Sequence, residues 1–303
     1  MSGGVISTSS FAKALWPGIN SWYGKAYNDH ATEWDKLFDT FSSKRAYEED
    51  VGVTGLGLAA VKPQGQGVTY DSDSQAYITR YQHVVYALGF VITREMVEDD
   101  LYDVVGSRRA KGLARSMRHT KEIVAANVYN RAFNSAYTGG DGVELCATNH
   151  PRFAGGANWA NELATAADLS QTALEQAYID IGKWTDDRGL RIAVRPTKLI
   201  IPVDLEFEAM RILKSAYEPG GSQNDINPMY GRFDPIINHF LTDTDAWFLR
   251  TNVGDGMKCF TRRGMQFGMD NDFDTENAKY KATERYSFGW TDPRAIFGSP
   301  GAG

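Results

Sequence analysis

The sequence predicts an α+β fold on three observations. One strongly amphipathic helix sits in the first half of the chain, segments rich in Val, Ile, Tyr and Thr flank it on both sides, and nothing repeats at a fixed period. With 303 residues, 42% of them hydrophobic and 23% charged, the chain has an ordinary folded composition and can bury one large core or two modest ones. No run approaches the roughly 18 consecutive apolar residues of a membrane span, and Met1 to Ser10 lacks a basic segment followed by an apolar one. The expectation is therefore synthesis in the cytosol and no membrane partner.

The elements follow in order. Between Phe11 and Phe41 stand Trp16, Trp22, Tyr23, Tyr27, Trp34, Phe38 and Phe41, with Trp34, Leu37, Phe38 and Phe41 at helical spacing. Aromatics this dense need a surface to pack on, in their own domain or in a neighbouring subunit. From Glu48 to Phe90 the character turns to β. Gly52, Gly55 and Gly57 loosen the first strand, Lys62-Pro-Gln-Gly-Gln-Gly67 supplies a turn, and Val68 to Tyr70 and Gln75 to Ile92 return as extended chain. That pattern predicts a long two-stranded ribbon, which is marginal alone and has to lie on something else.

An acidic stretch, Glu95, Glu98, Asp99, Asp100 and Asp103, precedes a helix predicted over Arg108–Asn134, about 40 Å long at 1.5 Å per residue. Ala110, Leu113, Met117, Val124, Val128 and Ala132 mark its buried face, and Arg108, Lys111, Arg115 and Arg118 a basic one. Gly139 to Ala167 reads as loop. Thr172 and Glu175 suggest a capping box for a helix carrying Leu174, Ala177, Tyr178, Ile181 and Trp184. Leu190–Val194 and Leu199–Ile201 read as strands, Asp204–Ala216 as a helix behind Pro202, Pro219–Ser222 as a loop, and Ile236–Leu241 and Ala246–Leu249 as short strands. Met265, Phe267 and Met269 alternate, as do Ala278, Tyr280 and Ala282 across a turn at Asp270–Asn277. The Gly298–Gly303 tail reads as frayed.

The chemistry searched for is sparse. Cys146 and His150 are a candidate nucleophile and base for a cysteine hydrolase, but no orienting third group is apparent. Cys146 and Cys259 are too few for a disulfide framework, although a bond between them stays open, and neither they nor the scattered histidines show metal-ligand spacing. The glycines near Gly55 lack a phosphate-loop ending, and Asp270 to Glu276 lacks the glycine of a calcium loop, so no cofactor or metal is expected. A net charge of −6 argues against tight nucleic-acid binding but suits a container for DNA. The Arg108–Lys121 cluster can serve as a nucleic-acid contact, a solvated face, or a partner for the acidic run before it.

The order of parts, and the phrases Tyr86-Ala-Leu-Gly-Phe90 with Ile92-Thr-Arg-Glu95, Leu145-Cys-Ala-Thr-Asn-His-Pro151, Leu169-Ser-Gln-Thr172, Arg195-Pro-Thr-Lys-Leu-Ile-Ile-Pro202 and Asp245-Ala-Trp-Phe-Leu249, are similar to the Mu-like major head subunit family of tailed phages. The resemblance implies the Hong Kong 97-type fold. Its segments would be an N-terminal arm (1–47), an E-loop (48–90), a peripheral domain with a spine helix (91–163), an axial domain (164–256), and closing peripheral strands with the tail (257–303). It implies a non-enzymatic shell protein that forms hexamers and pentamers around packaged double-stranded DNA in the host cytoplasm, together with a portal and a separate scaffold or decoration protein. Relatives with a cleavable scaffolding segment differ here, since the arm begins almost at Met1, so the expectation is that scaffolding is either a separate protein or dispensable. The expected assembly residues are Val61, Lys62, Pro63, Gly65, Gly67, Val68 and Tyr70 on the E-loop, and Trp16, Trp22, Tyr23, Tyr27 and Trp34 on the arm, with the helix's basic face beside them. Some relatives crosslink a ribbon Lys to an Asn; Lys62 sits in such a loop, but no Asn partner or catalytic carboxylate is identifiable. An encapsulin-like compartment enclosing a cargo enzyme is the alternative of the same fold, and a monomeric binding module one of a different class.

Overall fold

A computed structural model describes residues 12–98, 105–217, 225–272 and 277–302, without the side chains of 12–19, 97–98 and 271. Asp99, Asp100 and Asp103 of the acidic run, and the Pro219–Ser222 loop, lie outside these residues. Helix α1 (Ala12–Asp29) leads through the single turn α2 (Trp34–Leu37) into β1 (Asp39–Ser42). Strands β2 (Tyr47–Val53) and β3 (Gln75–Gln82) form the ribbon. β4 (Val84–Ile92) and the short α3 (Arg94–Glu98) precede α4 (Ser107–Asn130). There follow α5 (Gln171–Gly182), β5 (Pro196–Ile201), α6 (Glu206–Lys214), β6 (Asp234–Ile237), β7 (Trp247–Thr251), the hairpin β8 (Met257–Asn271) and β9 (Ala278–Trp290), and β10 (Ile296–Ser299).

Two four-stranded sheets organise the molecule. One has the order β1-β8-β9-β4 and the other β10-β7-β5-β6. The first packs α1 and α4 against the inward side of the long hairpin, where Tyr280 and Ala282 alternate with exposed lysines as the sequence pattern predicts. The second lies against α5 and α6, whose Leu174, Ala177, Ile181, Ala209, Ile212 and Leu213 meet Leu199, Ile201, Trp247 and Leu249. A third cluster, with Tyr129, Leu145, Phe248 and Ile296, joins the two. No helix among the described residues is long and apolar enough to cross a membrane.

Several expectations change. Helical spacing suggested one helix through Phe41, but α2 ends at Leu37 and β1 pairs in parallel with β8, whose free edge claims the segment. β4 leaves the ribbon and pairs with β9 over its full length, so the ribbon proper is Tyr47–Gln82. Val68–Tyr70 forms no strand. α4 stops at Asn130, and its buried line continues through Ala125, Ala126 and Tyr129 while Val124 and Val128 are half-buried. Helix α5 is capped by Ser170, whose Oγ accepts from the Ala173 amide at 3.2 Å, in place of the Thr172 box. Leu190–Val194 is irregular apart from one bridge at Arg191, and the helix behind Pro202 is a 3₁₀ turn followed by α6.

The C-terminal segment is not frayed. β10 pairs with β7 and is fully buried, so it belongs to the second sheet and not to the hairpin sheet. Ser299 Oγ donates to the Ala167 carbonyl at 2.8 Å and accepts from its amide at 3.2 Å. A Cβ on Gly298 would lie 2.9 Å from Cys146 Sγ, so this glycine answers to packing density and not to flexibility.

Candidate assembly surfaces

The ribbon begins at a polar root. Lys258 Nζ is 2.6 Å from Asp50 Oδ2 on β2 and 2.8 Å from Asp255, while Thr291 Oγ1 donates to the same Asp50 oxygen at 2.8 Å. Tyr81 packs on Phe260 at 4.8 Å and its hydroxyl meets Thr291 at 2.7 Å. Beside this root a cleft of about 590 Å³ runs between β2 and the loops carrying Asp141, Asp186, Asp187 and Arg294. Next to Asp187, Arg188 reaches Asp71 at 2.5 Å and donates to the Ser72 carbonyl, tethering the returning arm. The Asp71 carboxyl is held below its usual range by the amides of Gly57 and Ser72 and by Arg188.

Beyond the tether the chain stands free. Val61 is 94% exposed, Tyr70 92% and Leu58 83%, and Lys62, Pro63, Gly65, Gly67 and Val68 are exposed with them. The tip is nevertheless shaped. The Gln66 amide donates to the Pro63 carbonyl at 3.2 Å, and Gly65 has φ +85°, the left-handed third position of a type II turn. Exposed apolar surface of this extent is the kind of surface that marks a contact site.

The aromatic arm behaves otherwise. Tyr23 is 0% exposed and stacks on Phe267 at 4.6 Å; Tyr27 is buried beside it and its hydroxyl donates to Glu284. Arg118 Nε donates to the Tyr27 carbonyl at 2.8 Å with its guanidinium 3.8 Å from the centre of that ring. Trp34 is buried between the Lys121 ammonium, 4.2 Å from its ring centre, and Phe288. Glu122 accepts from the amides of Glu33 and Trp34 at 3.0 and 2.9 Å, satisfying the start of α2. Tyr23, Tyr27 and Trp34 are therefore corrected from candidate intersubunit contacts to core residues of their own subunit, because α4 and the hairpin offer them a matching face. Trp22 is half-buried, and the side chain of Trp16 is not among those described.

Arg118 leaves the basic face for the same reason. Arg108, Lys111 and Arg115 remain exposed along α4. A surface that the residue reading missed lies on α6 and the 3₁₀ turn before it, where Val203, Phe207 and Met210 are exposed, Phe207 by 79%. Their four- and three-residue spacing, opposite Ala209, Ile212 and Leu213, was a legible signal of a second apolar stripe.

The Cys146 and His150 pair finds its third group but loses its chemistry. His150 is fully buried, with Nδ1 2.6 Å from Asp141 Oδ2 and Nε2 3.0 Å from Asn161 Oδ1, so both ring nitrogens are occupied. Burial pushes the Cys146 thiol well above its usual value, which disfavours the thiolate a nucleophile needs. Cys146 and Cys259 are both free and buried, so the disulfide left open does not form. Asn161 is a hub instead. Its Nδ2 donates to the carbonyls of Leu145, Pro293 and Ile296, and its Oδ1 accepts from Ala147, which pins the loop to the C-terminal segment.

A family model described as phage capsid protein matches residues 76–298. No curated protein matches the chain in sequence. Among solved structures, the virus-like particle from Pyrococcus furiosus is similar with a TM-score of 0.53 and 11% identity, covering 93% of this chain and 98% of that one. The capsid of the native GTA particle gives 0.54 and 14% identity over 87% and 88% of the two chains. The bacteriophage JBD30 capsid gives 0.57 and 15% identity over 70% and 92%. At these identities the likeness is one of fold.

Proposed function

This chain belongs to the phage capsid protein family and has its Hong Kong 97-type fold, and from that premise we propose that it closes a shell through hexamers and pentamers joined by the ribbon. The observation that carries the reading is the ribbon tip, whose apolar side chains find no cover among the described residues of their own subunit. The assignment of arm, E-loop, peripheral and axial segments, and the kinship to Mu-like head subunits, are parts of the same proposal. The exposed Phe207 stripe of the axial segment is a second contact between copies. The shell would form in the host cytoplasm around packaged double-stranded DNA, with a portal and a separate scaffold or decoration protein. The role is structural and not catalytic, in keeping with the inert setting of Cys146.

Magnitudes explain why such a contact suits a shell. Burying Leu58, Val61, Val68 and Tyr70 stabilises by roughly 6–12 kcal/mol at about 1.5–3 kcal/mol each. Ordering the thirteen residues from Leu58 to Tyr70 from a fully free state costs about 13–26 kcal/mol at ~1–2 kcal/mol per residue. Free ordering would outweigh the burial, so the Arg188 tether and Gly65 turn, which lower the ordering cost in advance, are needed to leave one contact weak and reversible. Repetition around a closed symmetric particle makes many such contacts cooperative.

Deleting Val61 to Gly67 should leave a folded subunit that fails to close shells under electron microscopy, and normal particles from that deletion would contradict the proposal. A genome container is favoured over an encapsulin-like compartment by the family match. A cargo peptide co-purifying with particles would reverse that preference.

A further inference from the structure

In α4, Arg108, Arg109, Lys111, Arg115, Arg118 and Lys121 all precede the first acid, Glu122. Cations here oppose the positive end of the helix and one another, so each destabilises the helix it stands on. Three are used inside the subunit: Arg109 donates to the Val91 carbonyl, Arg118 holds Tyr27, and Lys121 lies over Trp34. The others are not. Arg108, Lys111 and Arg115 are exposed and have no carboxylate within ion-pair distance among the described residues; Arg115 bonds only His119, at 3.2 Å.

Their spacing of three and four residues sets them on one face, over about 10 Å of helix at 1.5 Å per residue. Beside them lie Gly112, around which a Cβ would meet nothing, and the half-buried Ser116. The face therefore lacks the apolar centre of a protein–protein contact. We propose that it binds the phosphate backbone of double-stranded DNA, without reading sequence. Duplex DNA carries one charge per about 1.7 Å of axis, so some six phosphates lie within the reach of this cationic row. The contact rests on the chain's role as a genome-enclosing shell protein. Three cations on a chain of net charge −6 make it weak in a single subunit, and collective when many subunits line a particle.

The test is fluorescence anisotropy of a mixed-sequence duplex titrated with the full chain and with its Arg108→Gln/Lys111→Gln/Arg115→Gln variant, across a salt series. Wild-type affinity should fall with salt with a log–log slope of about −3, and the variant slope should approach zero with affinity at least ~10-fold lower in low salt. Matching circular dichroism and unfolding midpoints establish that the variant is folded. An unchanged slope in the variant overturns the proposal, as does a wild-type chain that ignores the duplex. A variant that loses shells while keeping duplex affinity also overturns it, and would make the face a contact for an acidic segment of a second copy. Wild-type shell formation is scored separately by electron microscopy, so its failure would count against the shell role and leave the duplex measurement to decide this inference.

Discussion

Helix α1 and the β2–β3 ribbon are both arms that leave the body of the subunit, yet the first lies down on its own chain and the second stands off it. Along α1, Tyr23 and Tyr27 are one turn apart and meet a prepared surface, Leu113 and Met117 of α4 and Phe267 of the hairpin. Their polar tips are engaged or enclosed as well, Tyr27 by Glu284. The ribbon has such a surface only at its root, where Tyr81 rests on Phe260 and Asp50 on Lys258. Past Thr54 the alternation of β2 and β3 gives out, and Leu58, Val61 and Tyr70 stand almost fully exposed among the described residues. Apolar density in an arm thus shows that a partner surface is needed. Whether that surface is in the same chain depends on elements far away in sequence.

This contrast can be broken most sharply at the ribbon tip. The pair Val61→Asp and Tyr70→Asp should abolish shells in electron micrographs while moving the unfolding free energy of the free subunit by no more than about 0.5 kcal/mol, as for other surface changes. Tyr23→Ala should do the reverse in the free subunit, lowering its stability to denaturant by about 3–5 kcal/mol. An arm covered by a neighbour would show no such loss. At the root, Lys258→Met should cost about 1–3 kcal/mol, less than for a fully buried pair because Asp255 is exposed, and should speed amide exchange in β2.

The smallest effect concerns pH. His83 joins β3 to β4, with Ser287 at 2.9 Å and Ser43 at 3.0 Å from its ring nitrogens. Burial, with the Arg285 charge beside it, lowers its pKa below the ordinary 6.5. The unfolded chain then takes up the proton first, so the stability His83 contributes is present above pH 6.5 and drains away as pH falls through the folded value. His83→Asn should flatten the decline of the unfolding midpoint on the acid side, and equal slopes in both proteins would remove His83 from the root.

The contrast also explains what could be read from residues alone. Periodicity located the long helix and the β8–β9 hairpin, because Ala110, Leu113 and Met117, and Tyr280 and Ala282, face a core whose presence local spacing already implies. It exposed the ribbon, since glycines and a Pro-Gly turn are local chemistry. It misplaced β4, whose partner β9 is some 190 residues away, a separation at which register leaves no local trace. The tail misled for a different reason. Gly298 and Gly301 suggested slack, whereas one is pressed against Cys146 and the other, at φ +83°, against Asp245. Of the candidate site, the tip residues from Val61 to Tyr70 are exposed, and their place in a contact between subunits belongs to the proposal. Three arm aromatics and Arg118 are held within their own subunit instead, because the spacing that marks an amphipathic helix is the same whichever chain provides the other half.

The most direct measurement uses the two buried native thiols as a silent background. Burial pushes Cys259 up to about 11 and Cys146 well above the ordinary thiol value, so neither should react with maleimide at neutral pH. A Val61→Cys subunit should label rapidly when free and become protected once shells have formed. Equal labelling rates in free subunits and closed shells would mean that no neighbour covers the ribbon tip.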